Sequence, residues 1–277
     1  MPPAARVNDL TSHGPPMNPG PGSPDIEIGF MPAWRALPAG VGAAVEAASN
    51  DMNSFMTEPV LTPASATPKL VKISAGLIQA AAQAAAAGNV SAVSTAAQSV
   101  VTLNITNISL TATWTAASPV PGGQPAANTA YTEGIKAAAA AAAISTFSAI
   151  AGTADMHNCP IPVPIPPHGP GFVTKASTTV EFNGLPACRQ DDKIFEACGG
   201  ADPIALGCLT VEIGDETGSG DGGNLNWENQ TCEPEPLPEA LVCEDAPPEA
   251  QAAEASFAAA AYYGTPLVSR CEPCDGV

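Results

Sequence analysis

Three copies of one tetrapeptide pattern, Pro-Ala-x-Arg, constrain this chain more than any other feature. They stand at Pro3-Ala4-Ala5-Arg6, Pro32-Ala33-Trp34-Arg35 and Pro186-Ala187-Cys188-Arg189. Two of them follow a second recurring stretch, "GSPDIEIGF" from Gly22 and "ASTTVEFNG" from Ala176, and that stretch recurs once more as "GCLTVEIGD" from Gly207. In each, apolar residues flank a glutamate with period two: Ile26/Ile28 around Glu27, Val180/Phe182 around Glu181, Val211/Ile213 around Glu212. That alternation predicts a half-buried strand. A tight turn and a Pro-Ala-x-Arg strand then complete a hairpin. The third stretch has no such continuation, while the first tetrapeptide has no preceding strand. Three equivalent hairpins around an axis therefore close only if residues 1–9 pair with the last strand. Closure also removes a free sheet edge.

The histidines of the chain are His13, His157 and His168. His13 follows Arg6 by seven residues, Cys198 follows Arg189 by nine, and His157 follows Arg35 after a long insertion. His168 stands in the proline-stiffened "PIPPHGPG". Three imidazoles and one thiolate suit tetrahedral zinc, and four protein ligands make a closed, structural site. The expected set is His13, His157, His168 and Cys198, with Cys159 the rival thiolate. Cys188 and Cys208 sit within hairpins and read as small buried hydrophobes. No nucleophile–base pair stands out, so the expectation is a non-enzymatic protein.

Charge excludes other classes. Nine Lys+Arg against 27 Asp+Glu give a formal net charge of −18, which argues against nucleic acid or anionic lipid as a ligand. The start lacks a basic segment followed by an apolar run, which predicts synthesis in a cytoplasm without a signal peptide.

Residues 39–154 separate the first hairpin from its continuation. Within them, 41–56, 70–103 (with a break near Gly88-Asn89) and 126–154 read as alanine-rich helices, and "NITNISLTATWT" (104–115) alternates like a strand. The run 137–152 carries no charge but is too alanine-rich for a strong membrane span. Residues 216–277 form an acidic, proline-rich extension. Cys232, Cys243, Cys271 and Cys274 there suit a second metal site or disulfides.

The quoted motifs, together with "DMHNCPIPVPIPPHGPG", resemble the PAAR-repeat proteins, over about residues 1–38 and 155–215. The family usually shows Gly where Asn8 and Asp191 stand. The resemblance implies a mainly β cone of three pseudo-threefold hairpins with Zn2+ at its apex, here carrying an α-helical insertion and an acidic tail. It implies zinc ligands at His13, His157, His168 and Cys198. It further implies a tip that caps the trimeric, valine-glycine-repeat (VgrG-like) spike of a contractile injection system. Such machines include type VI secretion systems, phage tails and extracellular tail-like particles. The expected localisation is the tip of the particle, ejected with the spike and touching the target membrane. A second expectation is an effector or cargo adaptor, or a membrane-active tip, whose module is the insertion 39–154 or the tail.

Overall fold

The structure is a computed structural model that describes residues 1–162 and 167–214. In chain order its elements are β1 (Pro3–Ala4), β2 (Pro19–Gly20), β3 (Glu27–Ile28) and β4 (Met31–Pro32). Four helices follow: α1 (Ala39–Met56), α2 (Pro63–Ala86), α3 (Ser91–Ala117) and α4 (Gly123–Ile150). The chain then forms β5 (Met156–Pro162), β6 (Pro167–Val173), β7 (Glu181–Phe182), β8 (Leu185–Pro186), β9 (Lys193–Glu196), β10 (Gly200–Pro203) and β11 (Cys208–Glu212). The described residues are thus a mixture of helix and small antiparallel sheets, with more helix than the repeats alone suggest. The extension 216–277 with its four cysteines lies outside the described residues.

The three two-stranded sheets are β3–β4, β7–β8 and β1–β11. In the last, Pro3 lies opposite Glu212 and Ala4 opposite Cys208. Their tetrapeptides join in a closed cycle: Arg6 bridges Ala33, Arg35 bridges Ala187, and Arg189 bridges Ala4. The third residues complete a ring of backbone hydrogen bonds. Trp34 N donates to Ala5 O at 3.0 Å, Cys188 N to Trp34 O at 3.1 Å, and Ala5 N to Cys188 O at 2.9 Å. All three residues are fully buried. One large side chain, Trp34, is thereby matched with two small ones, which fills the centre without a clash. The alanines Ala4, Ala33 and Ala187 pack with Ile28, Cys208 and Ile213 in an apolar cluster between the hairpins.

Each arginine is clamped by an aspartate in the same way. The backbone N of Arg6 donates to Asp9 Oδ2 at 2.7 Å, that of Arg35 to Asp155 Oδ2 at 2.8 Å, and that of Arg189 to Asp192 Oδ2 at 2.8 Å. Each guanidinium then bonds the same carboxylate twice more. Two clamps close over three residues, and the middle one closes over 120. The insertion therefore enters between Arg35 and its aspartate. Asn8 and Asp191, one residue before two of the clamping aspartates, both have φ of 69°, a left-handed conformation that Asn and Asp tolerate better than most residues.

Beyond the aspartates the chain forms a five-stranded antiparallel sheet, ordered β10-β9-β6-β5-β2. The helices pack on it. Apolar residues of α1 at Val41, Val45, Ala48, Met52 and Phe55 recur at helical spacing and face the bundle interior. That cluster runs on into Phe172, Ala197 and Cys198 of the sheet region.

Two helix boundaries differ from expectation. Helix α2 begins at Pro63, because Thr62 and Ser65 form a reciprocal capping box and Pro63 occupies the first turn, where a missing N–H costs nothing. Residues 104–115 are helical, correcting the strand expected there. Their threonines return hydroxyl bonds to carbonyls four residues back, Thr106 to Thr102 and Thr113 to Ser109. Tertiary bonds fix the helix: Tyr131 donates to Asn107 Oδ1 at 2.6 Å and the Trp114 indole to Asn128 Oδ1 at 2.7 Å. Packing on α4 overrides local β propensity. Among the described residues, no helix is long and apolar enough to cross a membrane.

Candidate metal centre

The clamping aspartates set the register of the donors. His13, Cys159 and Glu196 each lie four residues after one of them, Asp9, Asp155 and Asp192 respectively. They are brought together with His168, which precedes Gly169, the partner of Cys159 across β5–β6. Cys159 Sγ lies 3.8 Å from His13 Nδ1 and 3.8 Å from His168 Nδ1. Glu196 Oε1 is 3.4 Å from His13 Nδ1, and Glu196 Oε2 is 2.6 Å from His168 Nδ1. The four donor atoms all lie within 4.8 Å of one another. Tetrahedral zinc, with bonds of about 2.0–2.3 Å, places nitrogens about 3.4 Å apart and nitrogen about 3.6 Å from sulfur. The donor set fits such an ion.

The surroundings keep two of these donors from water, while the His13 and His168 side chains are 26% and 12% exposed. Cys159 and Glu196 are fully buried. Burial pushes the Cys159 thiol up to about 12 and raises the Glu196 carboxyl above its ordinary value. A cation among them favours the deprotonated thiolate and carboxylate and supplies their countercharge. Gly199 leaves the room required: a Cβ there would strike Glu196 Oε2 and the His168 ring. Helix α1 holds the same strand from behind, through Ser49 Oγ donating to Glu196 O at 2.6 Å.

Of the residues expected from sequence, His13 and His168 enter this group. His157 lies beside it, in a second group with Glu196 and Asp202 whose donor atoms are also within 4.8 Å of one another. Neither ring nitrogen of His157 makes a well-formed hydrogen bond, although the Pro16 carbonyl acts on the ring; burial lowers its pKa. Cys198 is not in either group. Its backbone N donates to His168 O at 3.0 Å, and its thiol joins the apolar cluster of the helices, where burial raises its pKa to about 12.

Cys159 is the rival thiolate in the sequence, and Glu196 is legible in one signal. Arg6 to His13 and Arg189 to Glu196 are both seven residues, so strict register picks Glu196 over Cys198. Comparison with protein-family models, curated proteins and solved structures gives no match for this chain.

Proposed function

We propose that this chain is a metal-stabilised, non-catalytic tip protein of the PAAR-like kind, seated one copy per trimeric spike in a contractile injection apparatus. The observation that carries this reading is the closed cycle of the three tetrapeptides. A single chain whose backbone bonds repeat around an axis presents three similar surfaces, which suits a threefold partner. The exposed Phe30 (96%) and Leu209 (80%), on two of the three hairpins, offer apolar contacts to such a partner. Zn2+ on His13, Cys159, His168 and Glu196 ties loops from all three repeats together, and a structural zinc contributes roughly 10 kcal/mol or more of apparent binding free energy. Short strands alone bury little apolar surface, so the metal stiffens the part of the molecule least able to hold itself.

The test is native mass spectrometry of the full chain with its cognate trimeric VgrG-like spike. One chain per trimer is expected. A tight complex of another stoichiometry, or none at all with the zinc-loaded chain, overturns the reading.

A further inference from the structure

Beside the zinc group, and sharing its Glu196, lies a second cluster of donors. His157, Glu196 and Asp202 are fully buried. Neither ring nitrogen of His157 makes a well-formed hydrogen bond, although the Pro16 carbonyl acts on the ring, and Asp202 Oδ2 makes none either. Buried polar atoms are nearly always well partnered, and leaving such atoms together without good bonds is costly. Asp202 is also held in one orientation: its Oδ1 accepts from Ser12 Oγ at 2.7 Å and from His13 N at 3.0 Å. That leaves Oδ2, which lies 3.3 Å from His13 Nδ1, as the free donor.

We propose that the cluster binds a second divalent cation, held by His157 and Asp202 and sharing the Glu196 carboxylate with the first. A carboxylate has lone pairs enough on its two oxygens to serve two ions. The second position offers nitrogen and oxygen but no sulfur, so it takes a borderline or hard dication of the zinc, iron(II) or manganese(II) class. This site rests on the donors alone: its failure would leave a one-metal tip protein standing.

Cobalt(II) titration of the metal-stripped full chain separates the two positions, because thiolate ligation gives intense charge-transfer absorption and nitrogen–oxygen ligation gives only weak bands. The expected titration ends at two equivalents, of which one brings the thiolate band. Asp202→Asn, which keeps acceptance at Oδ1, and His157→Gln should each end at one equivalent with that band intact. An endpoint of one equivalent in the unmutated chain overturns the proposal. So does a second equivalent that adds thiolate absorption, which would assign it to Cys232, Cys243, Cys271 or Cys274, or one that survives both substitutions. Should a substitution prevent folding, the unmutated chain still decides. Two cobalt ions sharing a carboxylate couple magnetically, so the electron paramagnetic resonance signal at two equivalents must fall short of twice that at one, and simple doubling refutes the shared Glu196.

Discussion

Removing the middle clamp tests the repeat architecture most directly, and the substitution is Asp155→Ala. Asp155 is fully buried. It accepts from Gly22 N at 2.9 Å, Arg35 N at 2.8 Å, Arg35 Nε at 2.9 Å and Arg35 Nη2 at 2.8 Å. Its loss strands two backbone N–H groups and leaves the guanidinium, 13% exposed, donating from Nη2 to the Gly22 carbonyl at 2.7 Å. Breaking a buried ion pair from one side costs about 3–5 kcal/mol. Residual exposure of Arg35 and its Gly22 bond keep the effect near the lower end, about 3 kcal/mol. For a chain of this size that is a drop in Tm of roughly 6–12 °C. The assay is urea and thermal unfolding of zinc-saturated protein beside Asp9→Ala, whose partner Arg6 is 19% exposed and whose loss should cost about 1–2 kcal/mol. Adding Arg35→Leu to Asp155→Ala should restore part of the loss, since it removes the stranded charge. A cost below about 1 kcal/mol, or one equal to that of Asp9→Ala, refutes the argument that this clamp closes the insertion.

Other outcomes follow from the metal centre. Glu196→Gln should reduce zinc affinity at least tenfold while raising the stability of the metal-stripped protein at pH 7 by on the order of 1 kcal/mol, because burial favours the neutral form of that carboxyl; equal or lower stability of the stripped variant contradicts this. In the same stripped variant, stability should fall as pH drops below about 6.5, the ordinary histidine value. His157 has a folded pKa below its unfolded one, so protons bind the unfolded chain first, and a flat profile from pH 7 to 5 by chemical unfolding would exclude it. Gly199→Ala should displace His168 and Glu196 and weaken zinc at least tenfold by competition with a chelator, whereas the outward Ala201→Ser should leave it unchanged.

Much of the sheet region is legible because its signals are local and repeated. Pro-Ala-x-Arg, the apolar-Glu-apolar alternation and the turn residues Gly29 and Asn183-Gly184, which have positive φ, all fall at matching offsets. The pairing of residues 3–4 with 208–212 follows from symmetry, not from neighbourhood in sequence. The ligand set is harder to read, since a carboxylate in place of a third imidazole carries no compositional mark. Glu196 stands in "KIFEAC" like any strand glutamate, and only its offset from Arg189 betrays it. Cys198 looks equally suitable until its thiol is buried in the apolar cluster of the helices, which no local pattern announces. The strand reading of 104–115 failed for the same reason. Alternating Thr and Ile permit either period, and the decision belongs to Asn107, Trp114 and their partners on α4.

The position of the insertion explains how a threefold frame survives it. In the other two repeats the arginine and aspartate are three residues apart, and chain continuity and side-chain bonds do the same job. At the middle repeat only the side chains do it, so 119 residues enter while the bonds from Arg35 to Asp155 match those of its counterparts. The helices are not a passive loop, however. Ser49 bonds the carbonyl of Glu196, Gly42 packs against the Thr174 backbone, and Asn53 lies beside Gly200. Phe172, Ala197 and Cys198 are buried by the bundle, and its removal would expose them next to the metal donors. Loss of metal binding on excising 39–154 would therefore reflect lost support for β9 and β10 and would not identify the helices as cargo. A cargo role is tested instead by substituting the exposed α3 residues Val101, Ile105 and Ile108 (57%, 62% and 70%), which touch none of the donors; loss of target effect with metal and particle assembly intact would favour the adaptor reading, and no loss would leave the helices as a buttress.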